Sequence, residues 1–283
     1  MPYLILVSIV WGFSFVLIKG TLVSLDANFV SFTRLLLSLI VFLPFLRLAG
    51  ISFTEKLQLL VIGGVQFGIM YVAYVAAYQY LPAHVIALMT TTTPLFVTVF
   101  NDLNEKKLHK AFFLAALLAV AGGAVIELPD QPLRASLRGI VLIQLSNAAF
   151  AFGQLAYKKW MCSRPALRDT QIFGFLYAGA VLVSGAFSLA TTDYHSLNLQ
   201  THQALALLYL GVVASGVCFF LWNMGARKVN EGTLAVMNNL KIPVGVVASL
   251  LILNETTDYA RLLIGCVLFG GALWVNKNNS WRL

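Results

Sequence analysis

The chain has 283 residues, of which 59% are hydrophobic and 11% are charged, and its formal net charge is +8. A soluble domain carries about 25% charged residues, so this composition excludes an ordinary soluble protein and indicates one integral membrane domain. The cysteines and histidines are scattered along the sequence. Their spacing predicts neither a disulfide framework nor a metal site, and we expect no cofactor.

Ten apolar stretches fill almost the whole chain. A helix needs about 20 residues to cross a hydrocarbon core roughly 30 Å thick. Because the runs are unbroken and about twice as long as a barrel strand, they predict helices rather than a β-barrel. The fold class is therefore an all-α integral membrane protein. The predicted spans cover residues 3–24, 29–49, 57–80, 83–101, 109–127, 137–160, 170–190, 203–224, 231–252 and 260–277.

The positive charges are distributed unevenly between the predicted turns. Of the 19 Lys and Arg residues, 13 fall in the turns on one side of the membrane and three on the other. Cytoplasmic loops carry such an excess, so both termini are expected in the cytoplasm, with the protein crossing a bacterial inner (plasma) membrane many times. The basic charge thus reflects membrane topology, and we expect no nucleic-acid partner.

The two halves of the sequence resemble each other. Each predicted unit, 1–130 and 136–283, contains five spans, and an odd number of spans forces the second unit to be inverted relative to the first. Inverted repeats are typical of secondary transporters, which hold their substrate near the midplane in a cavity between the halves. The matching landmarks are Trp11–Lys19 with Phe150–Lys158, Pro94 with Pro243, Asn104-Glu105 with Asn254-Glu255, and Ala121-Gly122-Gly123 with Gly270-Gly271-Ala272.

These landmarks resemble the EamA-type branch of the drug/metabolite transporter superfamily. The resemblance covers the whole chain and implies ten helices with cytoplasmic termini. It also implies the export of amino acids, amines or related metabolites. It departs in the second half, where Phe150-Ala151 replaces Trp-Gly and Phe173 stands opposite Arg34. The residues that carry it are Trp11-Gly12, Arg34, Pro94, Glu105, Pro243 and Glu255.

Span six carries a polar stripe. Polar groups at membrane depth are costly and usually face a bundle interior or a water-filled cavity. At 100° per residue, Gln144, Asn147, Gln154 and Lys158 fall on one helix face. We interpret Asn147 and Gln154 as cavity-lining residues. Hydrogen bonding between helices is the alternative, and for Lys158 so is snorkelling to the interface.

Span nine carries a second stripe with a lysine close to the midplane. Placing Lys241 there costs about 2.5–3.5 kcal/mol on the insertion scale, so something must compensate its charge. A substrate carboxylate and backbone carbonyls freed near Pro243 are both candidates. Asn238 lies on the same face and is predicted to contact the substrate. The full stripe is Glu231, Asn238, Lys241, Gly245 and Ser249.

Aromatic residues and prolines complete the candidate site. Tyr74 and Tyr78 follow one face of span three and Trp11 lies mid-span, so each is interpreted either as pocket lining or as helix packing. The run Thr90–Thr93 before Pro94 predicts a bend, and Pro243 predicts the mirror-related bend. The prolines are candidate hinge or gate elements. Arg34, which resembles the family arginine, is given a structural or gating role.

The sequence thus predicts a secondary transporter, not an enzyme, that exports a small polar metabolite by alternating access. An amino acid or related amine or carboxylate is the first choice. A channel-like pathway for small polar solutes, or a multidrug or nucleotide-sugar type carrier, stays open. The expected partners are the substrate and the bilayer, with the chain as a monomer or weak homodimer. The predicted cavity residues are Lys241, Asn238, Gln154, Asn147, Tyr74, Tyr78 and Trp11.

Overall fold

The computed structural model describes residues 1–22, 24–128, 136–253 and 257–279, so Asn254 and Glu255 lie outside it. The described chain is helical throughout, without a strand. Its helices are α1 (Pro2–Thr21), α2 (Ala27–Phe42), α3 (Phe53–Ala77), α4 (Ala83–Glu105), α5 (Lys110–Glu127), α6 (Leu137–Cys162), α7 (Asp169–Thr191), α8 (Thr201–Ala226), α9 (Glu231–Ile252) and α10 (Tyr259–Asn279).

Hydropathy and length make these helices membrane spans. Nine of the described helices are long and apolar enough to cross a bilayer. The remaining one, α1, has 20 residues, which is about 30 Å of helix. Large apolar side chains remain exposed on the outside of the bundle, as at Leu182 and Leu251. In lipid such exposure is favourable, and the predicted all-α membrane fold is confirmed.

The two halves pack in reciprocal pairs. α1 packs against α9 and α6 against α4, while α5 contacts α10 and α2 contacts α7. These pairings are preserved when the first five helices are exchanged with the last five. The start of α1 lies at one end, with Tyr3 beside Lys228 of the α8–α9 turn. The start of α6 lies at the other, with Gly139 against Leu81 of the α3–α4 turn. The repeats are therefore inverted.

The start of α1 and the end of α10 lie at the same end of the bundle, which we call the basic end. There, Lys228 Nζ is 4.7 Å from the Tyr3 ring centroid, and Asn276 Nδ2 donates to Asn230 Oδ1 at 3.0 Å. At the basic end, ion pairs connect different helices and turns. They join Lys158 to Glu231 at 2.6 Å, Arg227 to Asp169 at 2.6 Å, and Arg164 to Glu55 at 2.7 Å.

The Arg227–Asp169 pair shows how this end is held together. Burial lowers the pKa of Arg227, but the hydrogen bond and negative charge of Asp169 raise it above its ordinary value, so the guanidinium stays charged. Tyr157 also donates its hydroxyl to Asp169 at 2.5 Å. The carboxylate therefore ties α6 and the α8–α9 turn to the start of α7.

Four helices depart from regular geometry at related places. At the two places where the sequence predicts bends, α4 is interrupted between Thr90 and Thr93 and α9 between Met237 and Lys241. Pro94 and Pro243 follow these breaks, consistent with the backbone N–H that proline lacks. In addition, α3 contains a π-helical segment, Gly64–Ile69, and α8 contains Leu210–Val217. Such segments are frequent at functional sites.

Candidate substrate cavity

The break in α4 is satisfied by its own threonines. The hydroxyls of Thr90 and Thr91 donate to the carbonyls of Ala87 and Leu88 at 2.7 Å. Thr93 donates to the carbonyl of Thr90 at 2.9 Å. At Thr90 the hydroxyl of Thr93 thus replaces the N–H that Pro94 lacks, while the Leu88 carbonyl accepts both the N–H and the hydroxyl of Thr91. The threonine run that predicted a bend is also what makes the bend stable.

Asn147 of α6 holds this break from outside. Its Nδ2 donates to the carbonyl of Met89 at 2.9 Å and to Thr92 Oγ1 at 3.1 Å. Its Oδ1 accepts from Thr93 Oγ1 at 3.2 Å. Gln144 lies beside it, with Oε1 at 2.8 Å from Thr92 Oγ1. Asn147 is 4% exposed, so this geometry corresponds to the interhelical alternative for the span-six stripe.

The break in α9 is built from two adjacent asparagines. Asn238 Nδ2 donates back to the carbonyl of Leu234 at 2.8 Å. Asn239 Nδ2 reaches across the bundle, to the carbonyl of Thr91 at 2.8 Å and that of Ala119 at 3.1 Å. The two helix breaks are therefore joined directly, through one buried amide. The buried Oδ1 of Asn239 has no hydrogen-bond partner in the described part of the chain.

Gln154 and Asn238 belong to a buried chain of polar side chains. Trp222 Nε1 donates to Gln154 Oε1 at 2.8 Å, and Gln154 Nε2 donates to Asn238 Oδ1 at 3.4 Å. Gln154 is 0% exposed and Asn238 2% exposed. The structure brings these two predicted residues together at the α9 break, beside the buried ring of Trp222.

Lys241 is the first residue after the α9 break. It is partly exposed although it lies near mid-membrane, and its Nζ is 5.8 Å from the Trp11 ring centroid. Within the described residues, no hydrogen bond or ion pair engages its ammonium group. Lys158, also on the span-six stripe, is different: its Nζ pairs with Glu231 and donates to the carbonyl of Val229 at 2.7 Å.

Trp11 faces the interior of the bundle. Its ring centroid is 5.2 Å from that of Phe219, 5.0 Å from that of Trp222 and 6.2 Å from that of Phe150. Its Nε1 donates to the carbonyl of Ala214 in the π-helical segment of α8 at 2.8 Å. Its ring neighbours belong to α6 and α8, and Trp11 itself remains partly exposed.

The π-helical segment of α8 is the point where four helices meet. Its freed carbonyls accept the Trp11 indole from α1, the Ser38 hydroxyl from α2 at Gly211, and the Tyr177 hydroxyl from α7 at Ser215 and Gly216. Arg34, buried in α2, donates its Nε to the Ser215 hydroxyl at 3.1 Å. The segment therefore positions both Trp11 and Arg34.

The remaining predicted residues lie toward the end opposite the basic end. The hydroxyls of Tyr74 and Tyr78 are 3.0 Å apart, and Tyr78 is 48% exposed. A cavity of about 560 Å³ also opens at that end, between the α1–α2 and α7–α8 turns. Its lining includes Asp26 and Gln203 and none of the predicted substrate residues.

Sequence reasoning did not single out several residues that shape this centre. They include Asn239, which joins the breaks, Phe219, which underlies Trp11, and Ser215, which binds Arg34. The pair Asn238-Asn239 beside a mid-membrane lysine was an available signal for the first. The other two sit in an apolar helix, and only their tertiary neighbours distinguish them.

Comparison with known proteins identifies the family. The model of the EamA-like transporter family matches the chain twice, over residues 1–128 and 137–277. A solved crystal structure superimposes with a TM-score of 0.78 at 17% sequence identity, covering 99% of this chain and 96% of that chain. At this identity the superposition shows a shared fold.

Several curated relatives match nearly end to end. A "Probable biotin transporter" of Pseudomonas aeruginosa is 38% identical over 98% of this chain and 97% of its own length. A "Biotin transporter" of Salmonella typhimurium is 36% identical over 98% and 93%. A "Probable amino-acid metabolite efflux pump" of Escherichia coli is 24% identical over 98% and 95%. This chain belongs to the EamA-like transporter family, within the drug/metabolite transporter superfamily, and is a multi-pass membrane transporter.

Proposed function

We propose that this protein is a secondary transporter for a small carboxylate metabolite, and that biotin is its first candidate substrate. The observation that carries the proposal is Lys241. It places a cation in the interior of the bundle, beside the ring of Trp11, and no acidic side chain of the described residues pairs with it. A substrate anion would supply the missing counter-charge.

The charge balance of the interior favours an acid over an amine. All 11 acidic residues lie near the ends of the predicted spans. An uncompensated cation within the membrane is costly, and such residues commonly mark substrate pathways. The charge of Lys241 would attract an anion such as biotin into the cavity, and Trp11 would contact its apolar ring system. The names of the full-length relatives support the same choice of substrate.

An amino acid is the second candidate. The Escherichia coli relative named as an amino-acid metabolite efflux pump supports it, as does the family resemblance, which also favours export. An amino acid carries an ammonium group as well as a carboxylate, however. The described interior offers aromatic faces and amides to that ammonium, and its acidic side chains, such as the half-buried Glu127, lie near helix ends, so we rank this candidate lower.

Alternating access would use the two inverted units, 1–130 and 136–283. On the basic side of the breaks, the Glu231–Met237 part of α9 packs on both α4 and α5. On the other side of the breaks, the Ala83–Thr90 part of α4 and the Lys241–Leu253 part of α9 do not pack on each other in this way among the described residues. If the basic end faces the cytoplasm, as the charge bias predicts, this arrangement is closed inward. Separation of Lys158 from Glu231 would then accompany inward opening.

Transport in reconstituted vesicles tests the proposal. Purified protein in proteoliposomes should take up radiolabelled biotin with saturable kinetics, and excess unlabelled biotin should compete. Because the acidic side chains of the described residues, including the half-buried Glu127, lie near helix ends, uptake should proceed without an imposed proton gradient. Transport of leucine or phenylalanine without biotin transport would select the second candidate. A flux that does not saturate would select a channel-like pathway.

A further inference from the structure

Arg34 is a second cation in the interior, and no acidic side chain of the described residues neutralises it. The residue is 8% exposed. Its Nε donates to Ser215 Oγ at 3.1 Å, and its guanidinium carbon is 5.2 Å from the Tyr71 ring centroid. Among the described residues no carboxylate pairs with it. A cation–π contact returns about 0.5–2 kcal/mol, while a buried charge costs several.

The two terminal nitrogens of Arg34 remain available. No protein acceptor in the described chain bonds to Nη1 or Nη2, and neither nitrogen is a fully buried atom without a partner. Both nitrogens are therefore partly exposed. Since Ser215 holds Nε, the guanidinium is oriented with its Nη1–Nη2 edge free, and that edge can donate two parallel hydrogen bonds to one carboxylate.

Arg34 and Lys241 are connected through a row of three aromatic rings, Trp11, Phe219 and Tyr71, which we call the aromatic surface. Phe219 is the middle ring and is 5% exposed; its ring centroid is 5.2 Å from that of Trp11 and 6.2 Å from that of Tyr71. Lys241 is 5.8 Å from the Trp11 ring centroid, and Arg34 is 5.2 Å from that of Tyr71. The order of contacts is therefore Lys241, Trp11, Phe219, Tyr71 and Arg34, with a cation at each end.

We infer that Arg34 is the carboxylate-binding group of this cavity, and that Lys241 contacts a second oxygen acceptor at the opposite end of the substrate. This inference rests on the proposed function and specifies its substrate class. The ligand is an elongated organic acid with an apolar body between a carboxylate and a carbonyl or similar oxygen. The planar guanidinium of Arg34 can donate two hydrogen bonds to the carboxylate, whereas the ammonium of Lys241 is a point charge that donates to a single oxygen.

Matched acid and ester probes test the assignment. Binding of biotin and of biotin methyl ester to the purified full-length protein would be followed by tryptophan fluorescence, since Trp11 belongs to the aromatic surface. Arg34→Gln should weaken biotin binding by about tenfold to hundredfold and leave ester binding within about threefold. Lys241→Gln should weaken acid and ester alike, because both probes keep the distal carbonyl.

Two outcomes would overturn the inference. One is an acid-over-ester preference that is unchanged in both Arg34→Gln and Arg34→Lys. The other is a preference abolished by Lys241→Gln instead. Arg34→Lys serves if Arg34→Gln does not fold, because it keeps the charge and loses the fork, and the acid preference should still fall. Thermal unfolding of each variant establishes that the binding comparison uses folded protein.

A second probe pair separates this inference from the choice of biotin. If the wild type binds neither biotin nor its ester, biotin is rejected as substrate. The same comparison is then made with 5-phenylpentanoate and its methyl ester, which keep the acid and an apolar body. A preference for this acid that depends on Arg34 supports the inference without biotin. Absence of any acid preference in the wild type overturns it.

Discussion

The breaks in α4 and α9 occupy equivalent places in the two repeats but have opposite chemistry. In α4, threonine hydroxyls and Asn147 satisfy the freed backbone groups from within the protein. In α9, Asn239 links the break to α4, and the next helical residue is the partly exposed Lys241. The same kind of helix break thus occurs in both repeats. In the first repeat hydrogen bonds within the protein fill it, whereas in the second a charged residue follows it.

The shared backbone device follows from proline chemistry. Proline provides no N–H and clashes with the preceding turn, so Pro94 and Pro243 each follow an interrupted stretch of helix. What differs is the source of the replacement donors. At the α4 break, threonine hydroxyls bond to the preceding turn, and Asn147 and Asn239 add amide donors from α6 and α9. At the α9 break, Asn238 bonds back to Leu234, while Asn239 reaches the carbonyls of Thr91 and Ala119 on α4 and α5.

The largest expected effect comes from removing the charge at the α9 break. Lys241→Met should reduce the initial rate of substrate uptake into proteoliposomes by about tenfold or more, because the interior cation that attracts an anion is lost. Lys241→Arg is the matched control and should retain more transport. The melting temperature of Lys241→Met should not fall, since a costly charge is removed. Wild-type transport by Lys241→Met would contradict the assignment.

The next effect concerns the α4 break, where we expect loss of stability rather than of transport. Asn147→Leu removes the amide that donates to the carbonyl of Met89 and accepts from Thr93, while the Met89 carbonyl keeps the N–H and hydroxyl of Thr92 as donors. The free energy of unfolding should fall by about 1–3 kcal/mol. Thermal unfolding in detergent measures it. Transport lost at unchanged stability would instead make Asn147 a substrate contact.

Uncoupling the two breaks should have a smaller effect. Asn239→Ala removes hydrogen bonds to the carbonyls of Thr91 and Ala119, but it also removes the unpaired Oδ1. These changes oppose each other, so the net destabilisation should be about 1 kcal/mol. Combining it with Asn147→Leu in a double-mutant cycle would show whether the breaks act as one unit. Strict additivity would argue that they are independent.

The smallest effect is expected within the threonine run. Thr90→Val keeps the shape of the side chain and loses one hydroxyl, whose hydrogen bond goes to the carbonyl of Ala87. Because only the carbonyl of Ala87 loses a hydrogen bond, the free energy of unfolding should fall by about 0.5–1 kcal/mol. Substrate uptake should not change. A large change in uptake would show that the α4 break also moves during transport.

Much of the backbone architecture could be predicted because it depends on local chemistry. Apolar runs located the helices, the odd number of spans per repeat required inversion, and the two prolines located the interruptions. Side-chain roles were less predictable. A helical wheel places Asn147 and Gln154 on one face, yet Asn147 bonds to the α4 break while Gln154 bonds to Trp222 and Asn238. Periodicity gives the face of a helix and not its neighbour.

By itself, the sequence determined that this chain is a ten-helix membrane protein with a repeated, inverted plan, because hydropathy, charge bias and proline act on each segment separately. Only the tertiary structure decided that Arg34 and Lys241 border the same aromatic surface. The two residues come from different repeats and are joined through α8. Their proximity depends on how four helices pack around one π-helical segment, which no single segment encodes.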